Sequence, residues 1–121
     1  MKKLNMAIVG AGRTGLNIYN ILKEVEGVKI SGLADINLEA PGIQAAREEG
    51  VFVTENINEI VKLPELDIVI VATGDLEVQK ILLQKCNSCT AVMDAQAANL
   101  MTALLKEKEE LLEFKRVQGE L

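Results

Sequence analysis

Histidine and tryptophan are absent from these 121 residues, and aromatic residues make up only 2%. Without histidine there is no imidazole to carry protons near neutral pH or to ligate a metal. With so few aromatics there is little for a base to stack on. Cysteine occurs twice, as Cys86 and Cys89 in a C-x-x-C spacing. Two cysteines do not make the disulfide framework of a small secreted domain. The spacing is that of a redox pair or half a zinc site, but a four-ligand zinc site would need carboxylates here, and Lys85-Cys86-Asn87-Ser88-Cys89 also reads as ordinary turn material. No metal site is expected. Positive charge is in deficit, with a formal net charge of −5 and no basic cluster, which argues against a nucleic-acid surface. No apolar run approaches the ~20 residues that span a bilayer. The Met-Lys-Lys start leads to Asn5 and a short strand rather than a signal core, so no membrane association and a cytoplasmic location are expected.

What is present is a stretch of punctuated apolar sequence, Ile8-Val9-Gly10-Ala11-Gly12-Arg13-Thr14-Gly15. The run Met6-Ala7-Ile8-Val9 leads into the glycines. After them Ile18, Ile21, Leu22 and Val25 recur at helical spacing. A G-x-G-x-x-G between a buried strand and a helix is a dinucleotide fingerprint with a mechanism. Gly10 takes the tight turn, Gly12 lets a pyrophosphate approach the backbone, and Gly15 lets helix and strand close up. The free N–H groups of the helix start then face the phosphates. Asp35 follows Gly15 by about 20 residues and closes a second apolar stretch, where its carboxylate can accept the ribose hydroxyls. That acid disfavours a 2′-phosphate, and Ile36 and Asn37 offer no arginine to hold one. NAD or NADH is therefore the expected ligand, with NADP less suited. Ile36 would flank the adenine. Arg13 either reaches the pyrophosphate or stands as an exposed helix-start residue.

Taken in order, the pattern predicts a strand over about Asn5 to Val9, a helix over Arg13 to Val25 ended by Gly27, and a strand over Val28 to Ala34. A loop reaches Pro41, which starts a helix with Ile43, Ala46 and Ala45 inward and Gly50 at its end. Val51 to Thr54 reads as a short strand. Asn56 caps a short helix, with Glu59 in the capping-box position, and Pro64 stops it. Asp67 to Gly74 is continuously apolar rather than alternating, as a central parallel strand covered on both faces should be. Asp75 caps a helix to Lys85, with Lys80 and Lys85 on its solvated face, and Thr90 to Met93 is a fifth strand. Strand and helix alternate throughout, so the expected fold is α/β, a doubly wound parallel sheet of Rossmann type in order 3-2-1-4-5 with a long C-terminal helix. The dinucleotide would cross the ends of strands one and four. Ala72, Thr73 and Gly74 would then stand beside the nicotinamide or its ribose, or Thr73 and Gly74 simply form a strand end and turn.

Residues 1–96 are read as the dinucleotide-binding domain and 97–121 as a C-terminal helix. Leu100, Leu104, Leu111, Phe114 and Leu121 recur at heptad core spacing, with Glu107 and Gln118 as the polar core positions and Lys106, Glu109, Glu110, Glu113 and Arg116 on the flanks. The helix either packs on the sheet with a solvated outer face, or packs by its first half and projects by its second half as a dimeric coiled coil. The pattern stops without a terminating signal at Leu121, as in a fragment whose helix feeds a further domain.

From Met6 to about Met93 the sequence resembles the NAD(P)-binding half of the glucose-fructose oxidoreductase and inositol dehydrogenase family. The likeness rests on Gly10 to Gly15, on Gly32-Leu33-Ala34-Asp35, and on Asp67 to Gly74. It resembles homoserine and aspartate dehydrogenases more distantly. Members of that family carry a Glu-Lys-Pro-like segment after strand five, whose lysine helps bind the substrate. Here the stretch is Met93-Asp94-Ala95-Gln96-Ala97, and no lysine is there. The sequence also resembles amino-terminal Rossmann modules of some bacterial sensor kinases and transcription activators, in which a helix like Leu111 to Val117 leads into a PAS or ATPase domain. That resemblance implies an NAD(H)-sensing regulatory module joined to a downstream signalling domain. The alternative is the cofactor-binding half of an NAD-dependent oxidoreductase that lacks its substrate domain. A third reading is a vestigial site on a fold that only mediates dimerisation. No catalytic residue is assigned; Asp94 is the one acid at the right edge, and a helix N-cap is the role its position favours.

Overall fold

The computed structural model describes residues 2–119, with side chains to Lys115. Ten elements alternate: β1 (Leu4–Val9), α1 (Arg13–Leu22), β2 (Val28–Ala34), α2 (Pro41–Glu48), β3 (Val53–Thr54), α3 (Ile57–Val61), β4 (Ile68–Val71), α4 (Leu76–Lys85), β5 (Ala91–Met93) and α5 (Ala95–Gly119). The strands form one parallel sheet in order β3-β2-β1-β4-β5, the expected Rossmann topology.

The continuous apolar strands are explained by the two layers they feed. In β1, Met6 and Ile8 join one core with Ile18, Tyr19 and Leu22 of α1, Ile43 and Ala46 of α2, and Ala98 of α5. Ala7 and Val9 turn the other way, to Ile60 of α3 and Leu82 of α4. β4 divides likewise, Ile70 to the first layer and Val69 and Val71 to the second. Successive side chains leave a strand on opposite faces, so a strand helical on both sides must be apolar at every position. Ile8 and Ile70 are fully buried, and truncating either to alanine removes about 3 kcal/mol.

The boundaries differ from the sequence expectation at several points. α1 ends at Leu22 rather than Val25. The chain then tightens through Glu24 N–H to Ile21 O and Val25 N–H to Leu22 O, which turns Val25 inward against the core. Gly27 is therefore not the helix's left-handed cap: the positive-φ glycines are Gly10, Gly50 and Gly74. The strand expected at Val51 shortens to Val53–Thr54, and β4 stops at Val71. Asn56 does cap α3, its Oδ1 accepting from Asn58 N–H at 2.9 Å. Glu59 works through a relay instead of reaching back to Asn56. It accepts from Thr54 Oγ1 at 2.7 Å, and that hydroxyl accepts the Asn56 N–H at 3.1 Å.

α5 docks only by its first turns. Ala98 and Thr102 are buried, Met101 and Leu105 pack on the first core layer, and the helix lies against α1 and β4. Of its expected heptad positions, Gln118 and Leu121, with the flanking Arg116, lie outside the described side chains. Among the described residues no helix is long and apolar enough to cross a membrane.

Candidate functional site

The carboxyl ends of β1 and β4 diverge, because α1 and α4 leave from them on opposite faces of the sheet. A cleft of about 510 Å³ opens there, at the switch point where doubly wound sheets bind ligands. Its floor is Val9, Gly10 and Ala34. One wall is Gly12, Arg13, Thr14 and Gly15; another is Asp35, Ile36, Glu55 and Ile57; Ala72, Thr73, Asp75 and Val78 complete it.

The glycine loop has the geometry its spacing demands. Gly10 has φ +99°, and a Cβ there would lie 2.6 Å from Thr73 Cγ2 and 2.9 Å from Thr73 N. This locks the end of β1 against the end of β4. A Cβ on Gly15 would fall 1.9 Å from the Gly10 carbonyl oxygen, so the helix can leave the strand this sharply only with glycine at that position. Gly12 differs, since a Cβ there would meet nothing within 4 Å. It caps α1 with no side-chain bond and faces the open cleft. The N–H groups of that first turn, which have no intrahelical acceptor, and the space before them fit a pyrophosphate.

Asp35 completes the cradle. Its Oδ2 accepts from Ala11 N–H at 2.7 Å and its Oδ1 from Asn37 N–H at 2.8 Å. A carboxylate has about four acceptor sites, so each oxygen keeps capacity for a ribose hydroxyl. Ala11 thus contributes its N–H to Asp35 while its side chain is buried below the loop. Ile36 is 91% exposed at the rim, open to an adenine face. Arg13 and Thr14 are exposed at the helix start, and Arg13 is the one cation among the described residues lining the cleft.

At the other end Ala72 and Thr73 line the cleft. Thr73 Oγ1 accepts from Asp75 N–H at 2.9 Å and Asp75 Oδ1 from Glu77 N–H at 2.9 Å, capping α4. Gly74, with φ +73°, faces a separate cavity of about 290 Å³ beside Leu76, Gln79, Asp94 and Gln96. Asp94 Oδ1 accepts from Ala97 N–H at 2.8 Å, so it caps α5. Lys80 pairs with Glu77 at 3.7 Å on the outer face of α4, and Lys85 bonds Asn58 Oδ1. Cys86 is half-buried and Cys89 exposed; both are free thiols, and burial pushes the Cys86 thiol up.

Several residues of the site were not marked by the sequence pattern. Glu55 brings a second acid beside Asp35, and Ile57 and Val78 supply apolar wall. Gly42 supports the loop from beneath: its N–H donates to Ala11 O at 2.7 Å, and a Cβ on it would lie 2.7 Å from that oxygen. The cue for Gly42 was its place directly after Pro41, where a helix start meets another backbone.

The cleft therefore defines a dinucleotide-binding Rossmann domain. The chain belongs to the oxidoreductase family with an NAD-binding Rossmann fold, the GFO/IDH/MocA family, whose profile matches residues 4–113. An acetaldehyde dehydrogenase of Desulfitobacterium hafniense is 38% identical over 74 residues, covering 60% of this chain and 25% of that protein. Among solved structures, GenD2 from gentamicin A biosynthesis in complex with NAD superposes with TM-score 0.66 at 21% identity, over 78% of this chain and 27% of that one. Scyllo-inositol dehydrogenase from Lactobacillus casei, with bound NAD(H) and scyllo-inositol, superposes with TM-score 0.60 at 20% identity, over 84% and 34%. These structures share the fold. The chain spans about a quarter of the length of the curated relatives it matches. The family and the relatives favour the oxidoreductase alternative over the expected sensor module, and the family's Rossmann fold is an NAD-binding one.

Proposed function

We propose that this chain is the NAD(H)-holding part of an oxidoreductase, with substrate contacts and proton transfer supplied by polypeptide other than these residues. The observation that carries the reading is Asp35 bonded to Ala11 N–H beside the open backbone at Gly12. In this reading Gly10, Gly12, Arg13, Thr14 and Gly15 hold the pyrophosphate, with Ala11 orienting Asp35. Asp35 and Ile36 take the adenosine half, and Ala72 and Thr73 flank the nicotinamide side, without Gly74, which lines the neighbouring cavity. Asp35 and Glu55 together repel a 2′-phosphate, which favours NAD over NADP. Bound NAD would supply a hydride acceptor. Among the described residues lining the cleft there is no histidine, lysine, tyrosine or cysteine, and its carboxyls are Asp35, Glu55 and Asp75; in this reading residues 1–96 bind and orient the coenzyme, with the first turns of the helix from residue 97 packed on them.

Calorimetric titration with NADH, NAD and NADPH tests this. Saturable binding of one NADH or NAD per chain, weaker for NADPH, supports it; equal or tighter NADPH binding contradicts it. Turnover of sugars or polyols by the isolated chain would show that the proton acceptor lies within it.

A second reading keeps the regulatory role, in which the dinucleotide biases α5 and a downstream signalling domain of the same chain responds. It is favoured by the exposed apolar side chains of α5. It requires that NAD and NADH differ in affinity for two positions of that helix.

A further inference from the structure

Leu100, Leu104, Leu111 and Phe114 of α5 are 63%, 57%, 54% and 58% exposed. At about 100° per residue they form one stripe, on the side of the helix away from Ala98, Thr102 and Leu105, which dock on the domain. A partner helix can therefore lie along the stripe without meeting the sheet or α1. The spacing is that of core positions: Leu104 and Leu111 at a, Leu100, Glu107 and Phe114 at d.

We infer that this stripe is the seam of a parallel two-stranded coiled coil with a second copy of the chain. The flanking charges select both the partner and its direction. In this register Glu110 falls at g and Lys115, five residues later, at e. Parallel helices bring g of one chain beside the following e of the other. Glu110 thus meets Lys115 of the partner subunit, and symmetry makes the pair twice. An antiparallel arrangement sets g against g and e against e, bringing Glu110 to Glu110 and the e-position lysines, Lys108 and Lys115, to one another. Glu107 is the one charged residue within the described part of the seam. It weakens the association and fixes its register, as polar core residues do. The inference is independent of what the cleft binds.

Sedimentation velocity of the full chain over a range of concentrations tests it. The expected result is a monomer–dimer equilibrium. Leu111→Glu should abolish the dimer while NADH binding and the thermal melt of the domain stay as they were, since Leu111 touches solvent. Glu107→Leu should tighten the dimer about tenfold. Glu110→Lys should weaken it about tenfold, and Glu110→Lys with Lys115→Glu should restore it. In a Cys86→Ser, Cys89→Ser background, Phe114→Cys should cross-link one copy to the other on mild oxidation, because parallel strands place the two 114 positions opposite each other. A chain that stays monomeric at about 1 mM, a dimer indifferent to Leu111→Glu, or a dimer that fails to cross-link at position 114 would each overturn the inference. Failure of the double charge swap to restore association would overturn the parallel register.

Discussion

Ala11 N–H donates to Asp35 Oδ2 at 2.7 Å, across 24 residues of sequence. The bond joins the two halves of the site. It holds the glycine loop over the end of β2 and fixes the carboxylate that the proposed reading sets against the ribose. Because Asn37 N–H holds the other oxygen, the group is aimed before any ligand arrives, and little ordering remains to oppose binding.

Asp35→Ala removes the acceptor and frees the loop at Ala11. The NADH dissociation constant should rise by roughly 30-fold, about 2 kcal/mol. The ratio of NADH to NADPH affinity should fall in Asp35→Ala and in Asp35→Ser alike, since either substitution removes the charge that repels a 2′-phosphate. Calorimetry on the folded variants checks both.

The three fingerprint glycines should separate in their effects. Gly15→Ala places a carbon 1.9 Å from Gly10 O, so backbone must move; binding and stability should fall together, by about 3 kcal/mol of stability. Gly12→Ala meets no protein atom within 4 Å. Its melting temperature should match the wild type within error while NADH affinity drops about tenfold or more, because the methyl group occupies pyrophosphate space. Thermal melts alongside ligand titrations distinguish the two.

Gly42→Ala should weaken NADH binding although residue 42 lies outside the cleft. Its Cβ would push on Ala11 O at 2.7 Å, displacing the loop whose N–H holds Asp35. A loss of about 1–2 kcal/mol in stability, with a parallel loss in affinity, is expected. Saturating NADH should recover part of the lost melting temperature by linkage.

Tyr19 of α1 and Lys23, just past its end, converge on Glu49, just past α2. Tyr19 Oη donates to Glu49 Oε1 at 2.8 Å and Lys23 Nζ at 3.0 Å. The Lys23 and then the Tyr19 hydrogen bonds lower the Glu49 pKa, so its contribution to stability is present above the usual carboxylate range and is lost as pH falls through the folded value. Burial first, then the Glu49 bond and charge, push the Tyr19 phenol up to about 12. Above pH 10 the unfolded chain releases that proton while the fold retains it, so stability should fall between about pH 10 and 12. Tyr19→Phe should flatten that alkaline slope and cost about 1 kcal/mol at neutral pH. Urea unfolding across pH measures both.

Local spacing made the fingerprint, the order of the strands and Asp35 readable from sequence alone. Each is a signal within one strand–turn–helix unit, and the right-handed crossover then fixes the sheet order. Gly42, Glu55 and Val78 were not readable in that way. Glu55 and Val78 reach the cleft from separate units, the turn after β3 and α4, while Gly42 supports the glycine loop from outside it through the packing of α2 on α1, and neither periodicity nor a motif marks them. The early end of α1 was hidden for a similar reason. Val25 continues the helical period, yet the chain there turns to bury it against the core. The capping of α3 was half visible, since Asn56 and Glu59 sit at the right spacing, but the hydroxyl of Thr54 lies between them.

Backbone amide spectra of the full chain during an NADH titration test the central claim most directly. The account predicts saturable shifts that are largest at Gly10 to Gly15, at Asp35 and Ile36, and at Ala72 and Thr73. Shifts gathered instead around the cavity of about 440 Å³ beside Phe52 and Pro64, with the glycine loop unmoved, would contradict it.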